Sequence, residues 1–171
     1  MELLFDVFSL WYKIFDNRML KEFEGLSEDE IDLMLSIPIL VSVLIAGADG
    51  NIDQKEKKEA ILMAYNKEHH VTKELSEYYR LVGYNFEEKL LTCIAKTSDD
   101  LEVRNGDIIH ELRKLNLILP KLDKHFSIKF YASIENWAKR IAEASGGILG
   151  YMSVTYEEAK LLTLKMINTP K

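Results

Sequence analysis

Apolar side chains recur every third or fourth residue along most of this 171-residue chain. This spacing is typical of amphipathic helices, and no segment shows the apolar-polar alternation of a half-buried strand. The pattern predicts an all-α helical bundle of about seven to nine helices, the first an amphipathic helix within residues 1–25. The later predicted helices cover about residues 28–48, 53–69, 72–81, 86–96, 101–119, 123–144 and 156–167.

Individual residues indicate where the predicted helices begin and bend. Ser27 followed by Glu30 has the spacing of a capping box, so a helix is expected to start just after Ser27. Pro38 lies inside that helix and has no backbone N–H to donate, so a kink is expected there. The Asn105-Gly106 pair is a candidate break within a later helix.

One helix–turn–helix pattern occurs twice, at residues 45–56 and again at 141–158. Each copy has a helix end, a Gly, a β-branched residue, a capping residue and a Glu three positions after it. The repetition predicts one domain over 1–171, with pseudo-symmetric halves at 27–70 and 123–168. A chance recurrence is the alternative, because the order helix, Gly, cap, helix is common.

Charge and composition exclude several classes of protein. The formal net charge of −6 disfavours nucleic-acid binding, which requires a basic surface. The apolar N-terminus lacks a basic leader, and the longest apolar run, at residues 33–48, is short for a membrane span. The sequence therefore predicts a cytoplasmic protein without membrane insertion.

Oxygen-bearing side chains are concentrated in the turn after the second predicted helix, where Asp49, Asn51, Asp53 and Glu56 surround Gly50. Calcium and magnesium prefer such ligands, so the four residues are a candidate site for one of these divalent cations. The acids of the first half of an EF-hand loop are missing. The alternative is purely structural: Gly50 ends one helix and Asp53 caps the next.

The second copy of the turn contains an apolar connection. Ile148, Leu149, Tyr151 and Met152 fall in a segment that is expected to run over the surface, where apolar side chains often mark an interface. These four residues are the candidate contacts for a protein partner. The alternative is that Ile148, Leu149 and Met152 fold back into the core.

The chain shows no motif for a nucleophile, a phosphate loop or paired catalytic carboxylates. The four histidines lack the spacing of a metal site and are predicted to lie at the surface near helix ends. Cys93 is predicted to be a core residue, as are Trp137 and the Tyr78-Tyr79 pair.

At the two turns the sequence resembles the TerB-like family of tellurite-resistance proteins. The first matching block is AGADGNID at residues 46–53, together with Glu56. The second block is IAEASGGILG at residues 141–150, followed by Glu157 and Glu158. The likeness covers roughly residues 27–168.

The resemblance implies an all-helical fold of two related halves, a role in chemical-stress resistance, and acidic residues that bind metal ions. It also implies a protein partner, with a membrane-associated partner as one option. The second turn departs from the pattern, because Ser145 and Thr155 stand where acids are expected. The leading hypothesis is a non-enzymatic stress-response module; the alternative is a metal-dependent enzyme with dispersed carboxylate ligands.

Overall fold

The structure is a computed structural model that describes residues 20–48, 52, 54–66, 71–144 and 161–171. Within these ranges the fold is helical and contains no strand, which confirms the predicted all-α class. The described residues contain six helices longer than one turn, so the count of seven to nine helices stays a prediction. The helices are α1 (Glu28–Ala46), α2 (Gln54–Asn66), α3 (Lys73–Gly83), α4 (Phe86–Lys96), α5 (Leu101–Arg113) and α6 (Lys124–Ala144). Single helical turns lie at Lys21–Phe23, Leu115–Ile118 and Leu119–Lys121, and residues 161–162 are also helical.

Helix α1 occupies the centre of the bundle and contacts each of the helices α2 to α6. Thirteen of its 19 residues are buried, which is the burial of a central helix with neighbours on all sides. Its predicted capping box is confirmed. The Ser27 hydroxyl accepts from the Glu30 amide at 3.3 Å, and the Glu30 carboxylate accepts from the Ser27 amide at 3.0 Å.

Pro38 leaves one carbonyl of α1 without its usual partner. In a regular helix the amide of residue 38 would donate to the carbonyl of Met34, but proline has no N–H. The Tyr78 hydroxyl of α3 donates to this carbonyl instead, at 2.9 Å in the buried core. Burial raises the pKa of Tyr78 well above its ordinary value, so the hydroxyl keeps its proton. A side chain of α3 thus completes the hydrogen bonding of α1.

Helix α6 is joined to the same region of α1. The Ser42 hydroxyl donates to the Pro38 carbonyl at 2.7 Å, and Trp137 Nε1 donates to the Ser42 hydroxyl at 2.9 Å. The indole therefore has a polar partner in an otherwise apolar core. Trp137 also packs against the rings of Tyr79 and Phe86. Through Tyr79 these rings join a cluster that contains Tyr78, Phe23, Phe126 and Phe130.

The predicted break at Asn105-Gly106 is wrong, because α5 runs without interruption from Leu101 to Arg113. Gly106 is exposed and a Cβ at this position would meet nothing within 4 Å. A glycine in a helix interior costs only about 1 kcal/mol relative to alanine, which the packing of the helix can offset. The helix ends at Arg113 instead, and Lys114 separates it from the single turn Leu115–Ile118.

The C-terminal segment is attached to the connection between α5 and α6. Asn116 donates from Nδ2 to the Met166 carbonyl at 3.0 Å, and its Oδ1 accepts from the Asn168 amide at 2.7 Å. Leu164 and Ile167 of the same segment are buried. The helix predicted to reach about residue 167 ends at Leu162, and Leu164 has a positive φ of 46°.

None of the helices in the described residues is long and apolar enough to cross a bilayer.

The Pro38 arrangement leads to a double-mutant prediction. Tyr78→Phe should lower the free energy of unfolding by about 1–3 kcal/mol, because it leaves the buried Met34 carbonyl without a donor. Pro38→Ala returns an amide N–H to that carbonyl. In the Pro38→Ala background the cost of Tyr78→Phe should fall by at least about 1 kcal/mol, as measured by urea unfolding.

Tyr79→Phe is the matched control, because its hydroxyl pairs with Ser133 at 2.7 Å rather than with α1. Its cost should be the same with Pro38 or with Ala at that position. Equal costs of Tyr78→Phe in both backgrounds would contradict the proposed pairing.

Candidate functional site

Of the four predicted metal ligands, only Glu56 lies in the described residues; Asp49, Asn51 and Asp53 lie outside them. Glu56 stands in the first turn of α2 and is only 5% exposed. In the part of the chain that the structure describes, no three His, Cys, Asp or Glu side chains come close enough to hold a metal ion. The cation site therefore stays a prediction.

At the end of α1, just before this turn, the structure has a buried, positively charged side chain that the sequence predictions did not include. Arg104 of α5 is 7% exposed, and its Nη2 donates to the Gly47 carbonyl at the end of α1 at 2.8 Å. The guanidinium supplies a hydrogen bond and a positive charge where a helix end has free carbonyls and a negative dipole. Arg104 Nε is buried with no hydrogen-bond partner.

This contact affects the predicted cation site in two ways. The Gly47 carbonyl is occupied by Arg104, so a metal ion in the neighbouring turn would have to displace the arginine to use this oxygen. The guanidinium charge also opposes a second cation nearby. One signal in the sequence pointed to Arg104: it lies four residues before Ile108, on the face of α5 that also carries Leu112.

Residue 47 has to be a glycine, because the Arg104 guanidinium lies where a side chain would begin. A Cβ at residue 47 would lie 2.8 Å from Arg104 Nη2 and 2.8 Å from the Val43 carbonyl oxygen. Any larger residue would therefore push the guanidinium away from the helix end or distort the last turn of α1.

A second candidate site lies at the opposite end of α1. A groove of about 370 Å³ runs between the start of α1 and the end of α5, and we call it the α1–α5 groove. Its lining residues are Asp29, Glu30, Leu33, Glu111, Lys114, Leu117 and Ile118. Leu33 and Ile118 are buried, whereas Leu117 is 74% exposed. The groove thus combines an apolar surface with carboxylates.

Two lysines neutralise part of this acidic lining. Lys114 Nζ lies 2.7 Å from both carboxylate oxygens of Glu111, and Lys121 forms an ion pair with Glu30. The hydrogen bond from Lys121 holds the pKa of Glu30 below its usual value. Asp29 is exposed and has no hydrogen bond or ion pair with the described residues.

Two perturbed titratable groups belong to α1 and α4. Burial, with the nearby charges of Asp29 and Glu28, raises the pKa of Asp32 to about 6, while Lys89 opposes the shift. Burial lowers the pKa of Lys89 to about 8, against the attraction of carboxylates that include Asp32. Both groups therefore titrate nearer to neutral pH than they would in water, which is common in catalytic groups and also in structural pairs.

The remaining sequence predictions divide between described and undescribed residues. Cys93 is in the core, as predicted, and burial raises its pKa to about 11, so it is not a reactive thiolate. His110 and His125 are exposed, as predicted. The predicted partner contacts at Ile148, Leu149, Tyr151 and Met152 lie outside the described residues.

The Gly47 contact predicts that one substitution has opposite effects at two glycines. Gly47→Ala should lower the free energy of unfolding by about 1–3 kcal/mol, because the added methyl overlaps Arg104 and Val43. Gly106→Ala, in open space on α5, should raise it by about 0.5–1 kcal/mol. Urea unfolding of both variants measures the difference, and stabilisation by Gly47→Ala would refute the close approach.

The raised pKa of Asp32 predicts that the free energy of unfolding depends on pH. Its pKa is higher in the folded protein than the ordinary value of 3.8, so ionisation of Asp32 destabilises the fold. The cost is absent below about pH 4 and complete well above pH 6. Asp32→Asn should therefore match wild type near pH 4 and exceed its stability by about 1–3 kcal/mol near pH 8.

Asp107→Asn, at an exposed position of α5, is the control and should change stability by less than about 0.5 kcal/mol at either pH. Chemical denaturation at a series of pH values gives both curves. A stability difference between Asp32→Asn and wild type that does not vary with pH would show that Asp32 has an ordinary pKa.

Comparisons of the chain with known protein families, with curated proteins and with solved structures found no match.

Proposed function

We propose that this protein is a non-enzymatic module that binds a protein partner in a cytoplasmic stress response of the tellurite-resistance type. The observation that carries the binding role is Leu117, which stands 74% exposed beside the buried apolar residues of the α1–α5 groove. The stress-response assignment rests on the resemblance of the two turns to TerB-like proteins.

The chemistry of the groove favours binding over catalysis. Removing a leucine side chain from water contributes about 1.5–3 kcal/mol, so Leu117 provides a strong apolar contact for a partner. Carboxylates around an apolar surface add specificity and orient the incoming chain. Lys114 and Lys121 hold two of these carboxylates in place.

A divalent cation, calcium or magnesium, is proposed to modulate binding from the turn formed by Asp49, Asn51, Asp53 and Glu56. Support comes from the oxygen ligands in the sequence and from the buried position of Glu56 next to the start of α2. Because Arg104 holds the Gly47 carbonyl, the ion would have to take its ligands beyond residue 47. The expected affinity is consequently weak.

The pseudo-symmetric arrangement is also a proposal. Its support is that the two longest described helices, α1 with 19 residues and α6 with 21, pack against each other and each precedes one copy of the turn. The two halves would then contribute equivalent helices to the centre of the bundle. The predicted partner segment at residues 148–152 would belong to the second half.

A metal-dependent enzyme is the second candidate, and one observation favours it. Asp32 and Lys89 have pKa values of about 6 and 8, which are suitable for proton transfer near neutral pH. Metal-dependent hydrolysis would require further carboxylates beside them. The binding role has the more direct support, because Leu117 and the groove are open at the surface.

Partner capture from lysate by immobilised protein variants tests the proposed function. Wild type should retain a defined set of proteins, and Leu117→Asp should reduce their recovery by about tenfold, because a charge then faces the apolar contact. Leu91→Asp, on an α4 leucine that is 48% exposed, is the matched control and should bind normally.

The same capture is carried out with calcium, magnesium or chelator. Cation-dependent recovery that Asp49→Asn/Asp53→Asn abolishes would support modulation by the turn. Equal recovery by wild type and Leu117→Asp would exclude the groove as the binding surface.

A further inference from the structure

The α1–α5 groove has a charge pattern that restricts the kind of partner it can accept. Its lining contains three carboxylates, Asp29, Glu30 and Glu111, and one ammonium group, Lys114, while Lys121 pairs with Glu30 from beside the groove. Glu28 adds another acid in the first turn of α1, and the whole chain carries a net charge of −6. Phosphate groups and acidic peptides are repelled by such a surface, whereas basic side chains are attracted.

Glu111 is the most buried of these acids, since the residue is only 9% exposed. Its two oxygens lie at equal distances of 2.7 Å from one ammonium, that of Lys114. An arginine guanidinium could take both oxygens through two parallel hydrogen bonds, which a single ammonium cannot arrange equally well. The Lys114 side chain is 46% exposed, so it can move into solvent at small cost.

The apolar contact and this carboxylate are close in the chain. Glu111 is in the last turn of α5, Leu117 is in the single turn that follows, and both line the groove. Two side chains seven residues apart lie on one face of a helix, about 10 Å from each other. From such a face an amphipathic helix can present an apolar side chain to Leu117 and an arginine to Glu111.

From this lining and its charge we infer that the α1–α5 groove binds a basic amphipathic helix of the partner protein, with an apolar residue on Leu117 and an arginine on Glu111 in place of Lys114. A second basic side chain of the same helix pairs with the exposed Asp29. This inference rests on the proposed function, because it names the chemistry of the partner segment that the groove takes.

Fluorescence anisotropy with designed peptides tests the inference. The probe is a labelled helical peptide with leucine and arginine seven residues apart and a second arginine at the rim; its matched control carries glutamate at both arginine positions. Full-length wild type should bind the basic peptide and should bind the acidic peptide at least about tenfold more weakly. High salt should weaken the basic complex.

Two variants locate the peptide in the groove. Glu111→Gln and Leu117→Ser should each weaken binding of the basic peptide by about tenfold, whereas Glu87→Gln and Leu91→Ser on α4 should leave it unchanged. Thermal unfolding verifies that Glu111→Gln is folded, and Leu117→Ser gives an independent test at an exposed position. No binding of the basic peptide, or equal binding by wild type and both groove variants, overturns the inference.

The peptide result is distinguishable from the capture result. If Leu117→Asp abolishes partner capture but the basic peptide does not bind, the groove is an interface and the basic-helix inference is wrong. If Leu117→Asp has no effect on capture and the peptide does not bind, the proposed binding role of the groove fails as well.

Discussion

The packing of the bundle depends on the Met34 carbonyl of α1, which Pro38 leaves without its usual backbone donor. The Met34 carbonyl that Pro38 leaves free lies in the buried core, away from water, so it must find a donor in the protein. Tyr78 provides it, and Trp137 reaches the neighbouring turn through Ser42. These directional bonds fix where α3 and α6 lie against α1, whereas apolar contacts alone would allow many arrangements.

The two ends of α1 have opposite electrostatic environments. Its first turn carries three acids, which suit the positive end of the helix dipole, and its last turn is held by the buried guanidinium of Arg104. Both environments involve α5, which supplies Arg104 near its start and Glu111 near its end. A single pair of helices thus forms both the Arg104–Gly47 contact and the α1–α5 groove.

Much of the fold could be predicted from the sequence, because helical periodicity and the Ser27 cap are local properties that need no knowledge of neighbouring helices. The partners of polar groups could not be predicted in this way. The periodicity places Tyr78 in the core but does not indicate a hydroxyl bond to a carbonyl 44 residues earlier. The groove was missed for the same reason, since Leu117 and Asp29 line one groove only when α1 lies beside the end of α5.

The hydrogen bonds around Pro38 also have a consequence for the order in which a newly synthesised chain can acquire its structure. Tyr78 follows Met34 by 44 residues and Trp137 follows Ser42 by 95 residues. At ordinary rates of translation these donors emerge about 2–9 s and about 5–19 s after their acceptors. During that interval the Met34 carbonyl and the Ser42 hydroxyl lack the donors that they have in the folded protein. The final packing of α1 has to wait for the C-terminal half of the chain.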